Sequence, residues 1–376
     1  MIKIMKWLLF LLIIVAYFFA NYYLFIKIWT LIPNGYVTVR VIYSIVFGLL
    51  VCSFFIGMFC ESILPIPFVS FLQSLGTTYL YFLIYAVIIL LLTDLIWLLN
   101  KWLHFFPTFL TVNRYSINLI IMLLIFIFII LLFIYGNWKF NHPSVIRLNI
   151  KTDKQIKKHQ RIVVASDLHI GYTIGAKKLT DFVNIINQQQ PDMVLLCGDI
   201  FDRSSRPVKA MDASSILKQI NAPMGTYAVV GNHEYYGNLL EFIKLLKEAN
   251  IIVLQDSIAT VDDIVLVGRD DVSNSKRQTL NQLTSNIDLS KIVIVLDHQP
   301  VNLSDAQNSK VDFQFSGHTH DGQIFPLNLI TRSIYELSHG HLFKYPTHYY
   351  VSSGLGIWGA TYRIGTQSEI VVISID

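Results

Sequence analysis

Hydrophobic positions fall into two regimes along this chain. Up to about residue 136 they form four nearly unbroken runs, roughly 7–28, 37–59, 78–99 and 117–135. Each approaches or exceeds the roughly 20 residues that a helix needs to cross the hydrocarbon core of a bilayer. Turn signals separate them: Pro33-Asn34-Gly35, then Pro65-Ile66-Pro67, then Asn100-Lys101 and Pro107. Trp7, Trp29, Trp97, Trp102 and Trp138 lie near the proposed ends, where amphipathic rings settle at a membrane–water boundary.

Beyond Asn137 the apolar runs shorten and change period. Segments 161–166, 194–197, 226–230, 251–254, 264–267, 291–296, 311–315, 349–353 and 369–373 read as strands. Between the earlier ones, 176–189, 208–220 and 239–249 read as helices. Leu179, Phe182, Val183 and Ile186 share one face, and Phe242, Leu245 and Leu246 another. Val261-Asp262-Asp263 reads as the turn of a hairpin between 251–254 and 264–267. Strands alternating with helices predict an α/β fold, with antiparallel character in the strand-rich second half. The predicted organisation is a transmembrane region of about four helices over 1–138, a basic linker over 139–160 and a globular domain over 161–376.

Composition sharpens this division. The chain is 53% hydrophobic and 14% charged, against roughly 25% charged in an average soluble protein. Before Gly136 the only acids are Glu61 and Asp94, and Asp94 is expected at the membrane interface. Lys3 and Lys6 precede the first run, while Lys139, Arg147, Lys151, Lys154, Lys157 and Lys158 follow the fourth. This bias predicts an integral membrane protein with both termini, and so the globular domain, in the cytoplasm. The linker reads as a solvated segment, or as a basic patch touching anionic lipid. A net charge of +4 with no basic block interleaved with aromatics excludes nucleic acid as an expected partner. Cys52, Cys60 and Cys197 form no CxxC pair and no disulfide framework.

Five of the strand-like runs end in side chains able to hold a metal. They deliver Asp167-Leu168-His169, Gly198-Asp199 with Asp202, Gly231-Asn232-His233-Glu234, Asp297-His298-Gln299 and Gly317-His318-Thr319-His320. Loops beyond strand ends are where α/β folds place ligands. Asp167, His169, Asp199, Asn232, His298, His318 and His320 offer oxygen and imidazole donors without thiolate. That set suits Mn, Fe or Zn, and it is too large for one tetrahedral ion. Two divalent ions about 3.5–4 Å apart can clamp the attacking and leaving oxygens of a phosphoryl displacement. Asp199 is the candidate bridge, and Asp297 is an alternative to His298.

In this order the five blocks resemble those of the calcineurin-like metallophosphoesterases. Gly268-Arg269-Asp270-Asp271, Asp297-His298-Gln299-Pro300, residues 317–323 and Ser353-Gly354-Leu355-Gly356 followed by Arg363 are similar to its membrane-associated YkuE/YaeI-like branch. Asp321 departs from that branch, which has glycine there. The resemblance implies a four-layer α/β/β/α sandwich behind the membrane helices. It implies one ion on Asp167, His169 and His320, a second on Asn232, His298 and His318, and Asp199 between them. His233 would act at the leaving oxygen, oriented by a catalytic Glu234, with Asp202 behind holding the loop or a ligating histidine. Arg269 and Arg363 are candidate phosphate contacts, or else surface ion-pair residues. The implied activity is hydrolysis of a phosphomonoester, phosphodiester or pyrophosphate, with a lipid-linked substrate such as UDP-diacylglucosamine as one candidate. The alternative is a non-catalytic membrane sensor that retains the fold. His339-Gly340-His341 looks like a metal pair but stands outside the five blocks.

Overall fold

The computed structural model describes residues 2–150, 154 and 160–375, with the side chains of residues 2–7, 9 and 10 excepted. Lys151, Lys157 and Lys158, with the side chains of Lys3 and Lys6, lie outside the described residues. The chain divides into two compact units, Met1–Ile134 and Tyr135–Asp376.

The first unit is helical: α1 (Ile2–Trp29), α2 (Val37–Phe59), α3 (Ile66–Leu103) and most of α4 (Arg114–Asn141). These four are long and apolar enough to cross a membrane. Large apolar side chains such as Leu91, Leu95 and Phe126 are exposed on their outer faces, as a lipid-facing surface requires. The third helix begins at Ile66 and not near Thr78 as the hydropathy suggests. Pro67 sits in its first turn, where no backbone N–H is needed. Gly76 then lets α3 approach the backbone of α2; a Cβ there would lie 2.4 Å from Phe54 N. Residues 66–77 look like loop in sequence because Gln73, Ser74, Gly76 and Thr77 interrupt the apolar run. These small and polar residues serve close packing, and Gln73 Nε2 donates to Gly57 O at 3.2 Å.

The second unit contains twelve described strands: β1 (Ser144–Ile150), β2 (Gln160–Ala165), β3 (Met193–Cys197), β4 (Thr226–Val229), β5 (Ile251–Val253), β6 (Ser257–Val261), β7 (Ile264–Gly268), β8 (Ile292–Leu296), β9 (Phe313–Ser316), β10 (Gly340–Lys344), β11 (Thr347–Val351) and β12 (Glu369–Ile375). They form two six-stranded sheets, β1-β12-β2-β3-β4-β5 and β10-β11-β9-β8-β7-β6. Side chains alternate across each strand. Val163 and Ala165 of β2 face α5 (Ala176–Gln188) and α6 (Leu239–Glu248), while Ile162 and Val164 face Leu266, Ile294 and Phe315 of the other sheet. The far side of that sheet, with Val265, Val267, Val293 and Val295, packs on Leu280, Leu283 and Ala306 of two short helices. The result is the expected α/β/β/α layering. Each such side chain, fully buried, is worth about 1.5–3 kcal/mol of transfer free energy, so Val164→Asp would open the layer between the sheets.

Three local expectations are corrected. Residues 144–150, assigned to the linker, form β1, parallel to β12 with Ser144 opposite Glu369. The partner strand is distant in sequence, so no local pattern shows the pairing. The hairpin over Asp262-Asp263 joins β6 to β7, and β5 belongs to the other sheet. Residues 208–220 do not form one helix: short helices Ser205–Ala210 and Ala213–Leu217 are separated at Asp212, which adopts φ 49° and accepts a hydrogen bond from Ser215 N.

The end of α4 belongs to this second unit. Phe140 is buried in its core, Gly136 O accepts from Arg363 N at 3.0 Å, and Asn137 Nδ2 donates to Thr361 O at 3.0 Å.

Candidate metal centre

Parallel strands β2, β3 and β4 of one sheet, and β8 and β9 of the other, release their chains at a common edge. Asp167, Asp199, Asn232, His298 and His318 each lie one to three residues beyond a strand end. Asp167, His169, Asp199, His318 and His320 all adopt left-handed backbone, with φ between 48° and 70°. Non-glycine residues seldom adopt it, and the cost is sustained where the surroundings over-determine the conformation, as at functional sites. Here the surroundings are backbone hydrogen bonds between the loops. Asp167 N donates to Gly198 O and His169 N to Asp199 O, each at 3.0 Å. Gly231 permits the closest approach. A Cβ there would sit 2.3 Å from Asp199 Oδ1 and 2.6 Å from His298 Cδ2.

The side chains converge. Asp167, His169 and His320 present ligand atoms within 4.8 Å of one another, as do Asp199, His298 and His318, and His169, Asp199 and His233. Asp199 therefore stands in two of these groups. Its Oδ2 lies 3.2 Å from His298 Nε2, 3.8 Å from His169 Nε2 and 4.0 Å from His233 Nε2. Asp297 points elsewhere, paired with Arg269 and Arg277 at 2.9 and 3.1 Å, so His298 is the residue of that block that reaches the cluster.

The donor set fits divalent cations. His298 Nε2 and Asn232 Oδ1 are buried without a hydrogen-bond partner among the described residues. Such atoms are costly to leave bare. His298 Nδ1 lies 2.8 Å from Cys197 O and must donate to it, which leaves Nε2 as the lone-pair nitrogen in the neutral ring. His169 Nε2 and His320 Nε2 face each other at 3.0 Å. Burial, reinforced by His233, pushes His169 down to about 3. Burial pushes His318 down to about 4 and His320 well below the usual range. These rings resist protonation and remain electron-pair donors. Burial alone would raise the Asp199 carboxyl, but His298 outweighs it and holds Asp199 below the carboxylate range. Burial likewise lowers His298, and the Asp199 carboxylate reverses this and raises it well above the normal imidazole value.

The surrounding residues depart from expectation. Asp202, not Glu234, orients His233: Asp202 Oδ1 lies 2.7 Å from His233 Nδ1. Burial lowers the His233 pKa, the Asp202 hydrogen bond raises it, and the net shift is upward. Glu234 is fully buried and turns to the backbone, accepting from Asp199 N, Phe201 N and Gly231 N at 3.1, 2.8 and 2.7 Å. It tightens the loop that carries Asp199. Neither expected phosphate contact is available. Arg363 is buried, with its guanidinium on the carbonyls of His320, Gly354 and Gly356. Arg269 is buried against Asp297. The reason is the same for both: each neutralises or satisfies groups inside the domain. Asp321 is buried and lies 3.3 Å from Arg332 Nη2. His339 lies 3.1 Å from Glu369 and His341 lies 3.0 Å from His348, so the two histidines do not share a site.

A cavity of about 360 Å³ opens on Asp199, Asn232, His233 and His318. Its lining also includes an apolar wall of Leu327 and Ile330 of α7 (Leu327–Ile334) and Trp358, together with Thr319, Gln323 and Thr331. Ile330 is 53% and Trp358 41% exposed, so the wall is open. Gln323 holds Trp358 in place, donating to its carbonyl at 2.6 Å and accepting from its N–H at 3.1 Å. Sequence reasoning did not assign this wall. The i, i+3, i+7 spacing of Leu327, Ile330 and Ile334 was the available signal.

Comparison with known proteins agrees with this geometry. Residues 160–322 match the family described as calcineurin-like phosphoesterase. An uncharacterized metallophosphoesterase, Cj0846, from Campylobacter jejuni is 33% identical over 226 residues, which is 58% of this chain and 60% of that protein. A transmembrane protein with metallophosphoesterase domain from Bos taurus is 32% identical over 233 residues, covering 56% of this chain and 51% of that protein. The chain thus spans less than two thirds of the length of these relatives. A dimetal phosphatase from Danio rerio aligns over 52% of this chain and 88% of its own, at 15% identity and a TM-score of 0.37, an overlap that bears no functional conclusion.

Proposed function

Since residues 160–322 match the calcineurin-like phosphoesterase family, we propose that this protein is a membrane-anchored, dinuclear-metal hydrolase of phosphoesters whose substrate carries a lipid-type group. One ion would rest on Asp167, His169 and His320, the other on Asn232, His298 and His318, with Asp199 shared. Divalent ions held there supply Lewis-acid charge to phosphoryl oxygens and lower the pKa of water. The chain's own residues set the rest. Asp202 accepts from Nδ1–H of His233 and favours the protonated ring, which then carries a second proton on Nε2 that it can give to a departing oxygen. Glu234 fixes the Asp199 backbone. The left-handed loops keep the seven donors converged before any ligand binds, so little reorganisation is needed.

The observation that carries the lipid reading is the mixed lining of the cavity: beside the metal-ligand candidates it includes Leu327, Ile330 and Trp358, together with Thr319, Gln323 and Thr331. A phosphate bearing an acyl chain covers the three apolar side chains, whereas a fully polar phosphodiester leaves them bare. The loop that presents Trp358 continues to Thr361 and Arg363, which bond to Asn137 and Gly136 of the same unit. UDP-diacylglucosamine is one candidate for such a substrate. The Lys and Arg bias at the two ends of the helical region, with four spans, supports a cytoplasmic domain.

The test is hydrolysis by purified full-length protein supplied with Mn, with EDTA as control, on bis-p-nitrophenyl phosphate, phosphatidic acid and UDP-diacylglucosamine. Turnover of the lipid substrates above the chromogenic diester is expected. Turnover of the diester alone favours a soluble substrate with the helices serving only as anchor. Metal-loaded protein inert on all three would favour a non-catalytic sensor.

A further inference from the structure

The helical unit holds a charged cavity that hydrolysis does not use. Lys27 of α1, Asp94, Trp97, Asn100 and Lys101 of α3, and Arg114 at the start of α4 line a space of about 450 Å³. A smaller cavity of about 100 Å³ shares Lys27, Asp94, Trp97 and Arg114 with it and is walled by Leu90, Ile121 and Met122 together with Thr93 and Asn118. The two spaces meet at the same four side chains.

The charges there do not balance. Both oxygens of Asp94 are occupied: Oδ1 lies 2.5 Å from Lys27 Nζ, and Oδ2 accepts from Tyr23 OH at 2.7 Å. Asp94 and Lys27 thus form a neutral, hydrogen-bonded pair. Among the described residues neither Lys101 nor Arg114 has a carboxylate partner, and Arg114 lies over the Trp97 ring at 4.9 Å. The only other acid before Gly136 is Glu61, which lies beyond the opposite end of α3. Two exposed cations without a described carboxylate partner thus face one cavity at the ends of neighbouring apolar helices.

We propose that this cavity is a site for the phosphate headgroup of an anionic phospholipid, held by Lys101 and Arg114, with its acyl chains on the exposed helix surface beside Leu98, which lines the same cavity. A phosphate monoester or diester anion supplies the missing charge, arginine matches two of its oxygens with a planar fork, and basic pockets between membrane helices suit such headgroups. The exposed apolar surface at Leu95 and Leu98 selects an amphiphile over a free anion. The inference rests on the four helices spanning a bilayer and is independent of any hydrolytic activity.

The test uses delipidated full-length protein in a non-ionic detergent, titrated with phosphatidylglycerol, phosphatidylcholine or inorganic phosphate, with bound lipid read by native mass spectrometry. Phosphatidylglycerol is expected to bind preferentially. The double variant Lys101→Gln/Arg114→Gln should weaken that binding about tenfold or more, and Arg147→Gln, in the other unit, should leave it unchanged. Asp94→Asn removes the competing carboxylate and should tighten phosphatidylglycerol binding, which keeps the proposal testable should the double variant not assemble. Equal affinity of wild type and double variant, phosphatidylcholine bound as tightly as phosphatidylglycerol, inorganic phosphate bound as tightly as the lipid, or no tightening by Asp94→Asn would each overturn it.

Discussion

Two carboxylates flank His233, and replacing each by its amide should separate their work. Glu234 Oε2 accepts from Asp199 N and Gly231 N, and Oε1 from Phe201 N. In Glu234→Gln one oxygen becomes an NH₂ group that must face at least one of these buried donors. The less costly orientation keeps the oxygen on Asp199 and Gly231 and leaves Phe201 N without an acceptor, a loss of about 1–3 kcal/mol. The reverse orientation leaves two donors bare and costs about twice that. For a domain of this size the first figure corresponds to a melting temperature lower by roughly 2–10 °C. Because Asp199 hangs from the same loop, metal retention should fall as well. Asp202→Asn acts differently. The amide oxygen can still meet His233 Nδ1, but the negative charge that lifts the imidazole pKa against burial is gone. Exchanging a charge-assisted hydrogen bond for a neutral one loses about 1–1.5 kcal/mol, or roughly fivefold to tenfold in kcat. Both variants would be assayed for melting temperature, metal content, and kcat and KM on a chromogenic diester. The expected pattern is lower stability and metal content for Glu234→Gln, and lower kcat with unchanged melting and metal for Asp202→Asn. The opposite pattern would refute the division of roles.

Gly231→Ala should cost bound metal more than fold, because its Cβ would collide with Asp199 Oδ1 and His298 at the centre of the cluster; metal content that stays at the wild-type level would contradict this. Ile330→Asn should raise KM for a lipid-linked substrate about tenfold, the worth of one apolar side chain covered by ligand, and leave KM for the chromogenic diester unchanged; equal effects on both would remove the apolar wall from substrate binding. The His339–Glu369 pair predicts a pH-dependent stability. Burial lowers the His339 pKa and the Glu369 hydrogen bond raises it further, for a net rise above 6.5. Its contribution is therefore complete below pH 6.5 and lost as pH rises through the raised value. Glu369 is raised by burial and held below 4.5 overall by His339, so its contribution fades only as pH falls through that lowered value. The melting difference between wild type and His339→Gln should shrink between about pH 6 and 8, and a constant difference would exclude the pair.

The sequence placed the seven candidate ligands because their signal is local: an apolar run, a glycine or a turn, then Asp, Asn or His. The layered fold was legible for the same reason, since β3 and β8 are continuous apolar runs, and β2, β4 and β9 largely apolar ones, with nearly every position buried. What escaped depends on distant partners. β1 is recognisable only beside β12, more than 200 residues later. β6 and β10 alternate half-buried and exposed positions, a weaker pattern. The roles of Glu234 and Asp202 could not be separated by spacing, because either carboxylate is near His233 and only the loop geometry turns one to the backbone and the other to the ring. Arg269 and Arg363 looked like anion contacts because arginine beside such motifs often is, and only their burial shows that they are already spent on Asp297 and on backbone carbonyls.

The central claim is that Asp199 sits between two divalent ions. Metal content of purified full-length protein, measured by mass spectrometry after Mn loading and desalting, tests it most directly when wild type, Asp167→Asn, His298→Ala and Asp199→Asn are compared. The account predicts about two ions per chain in the wild type, about one in each of the first two variants, and less than one in Asp199→Asn, since that carboxylate serves both groups. Wild-type protein that retains no transition ion, or Asp199→Asn that keeps the full complement, would contradict it.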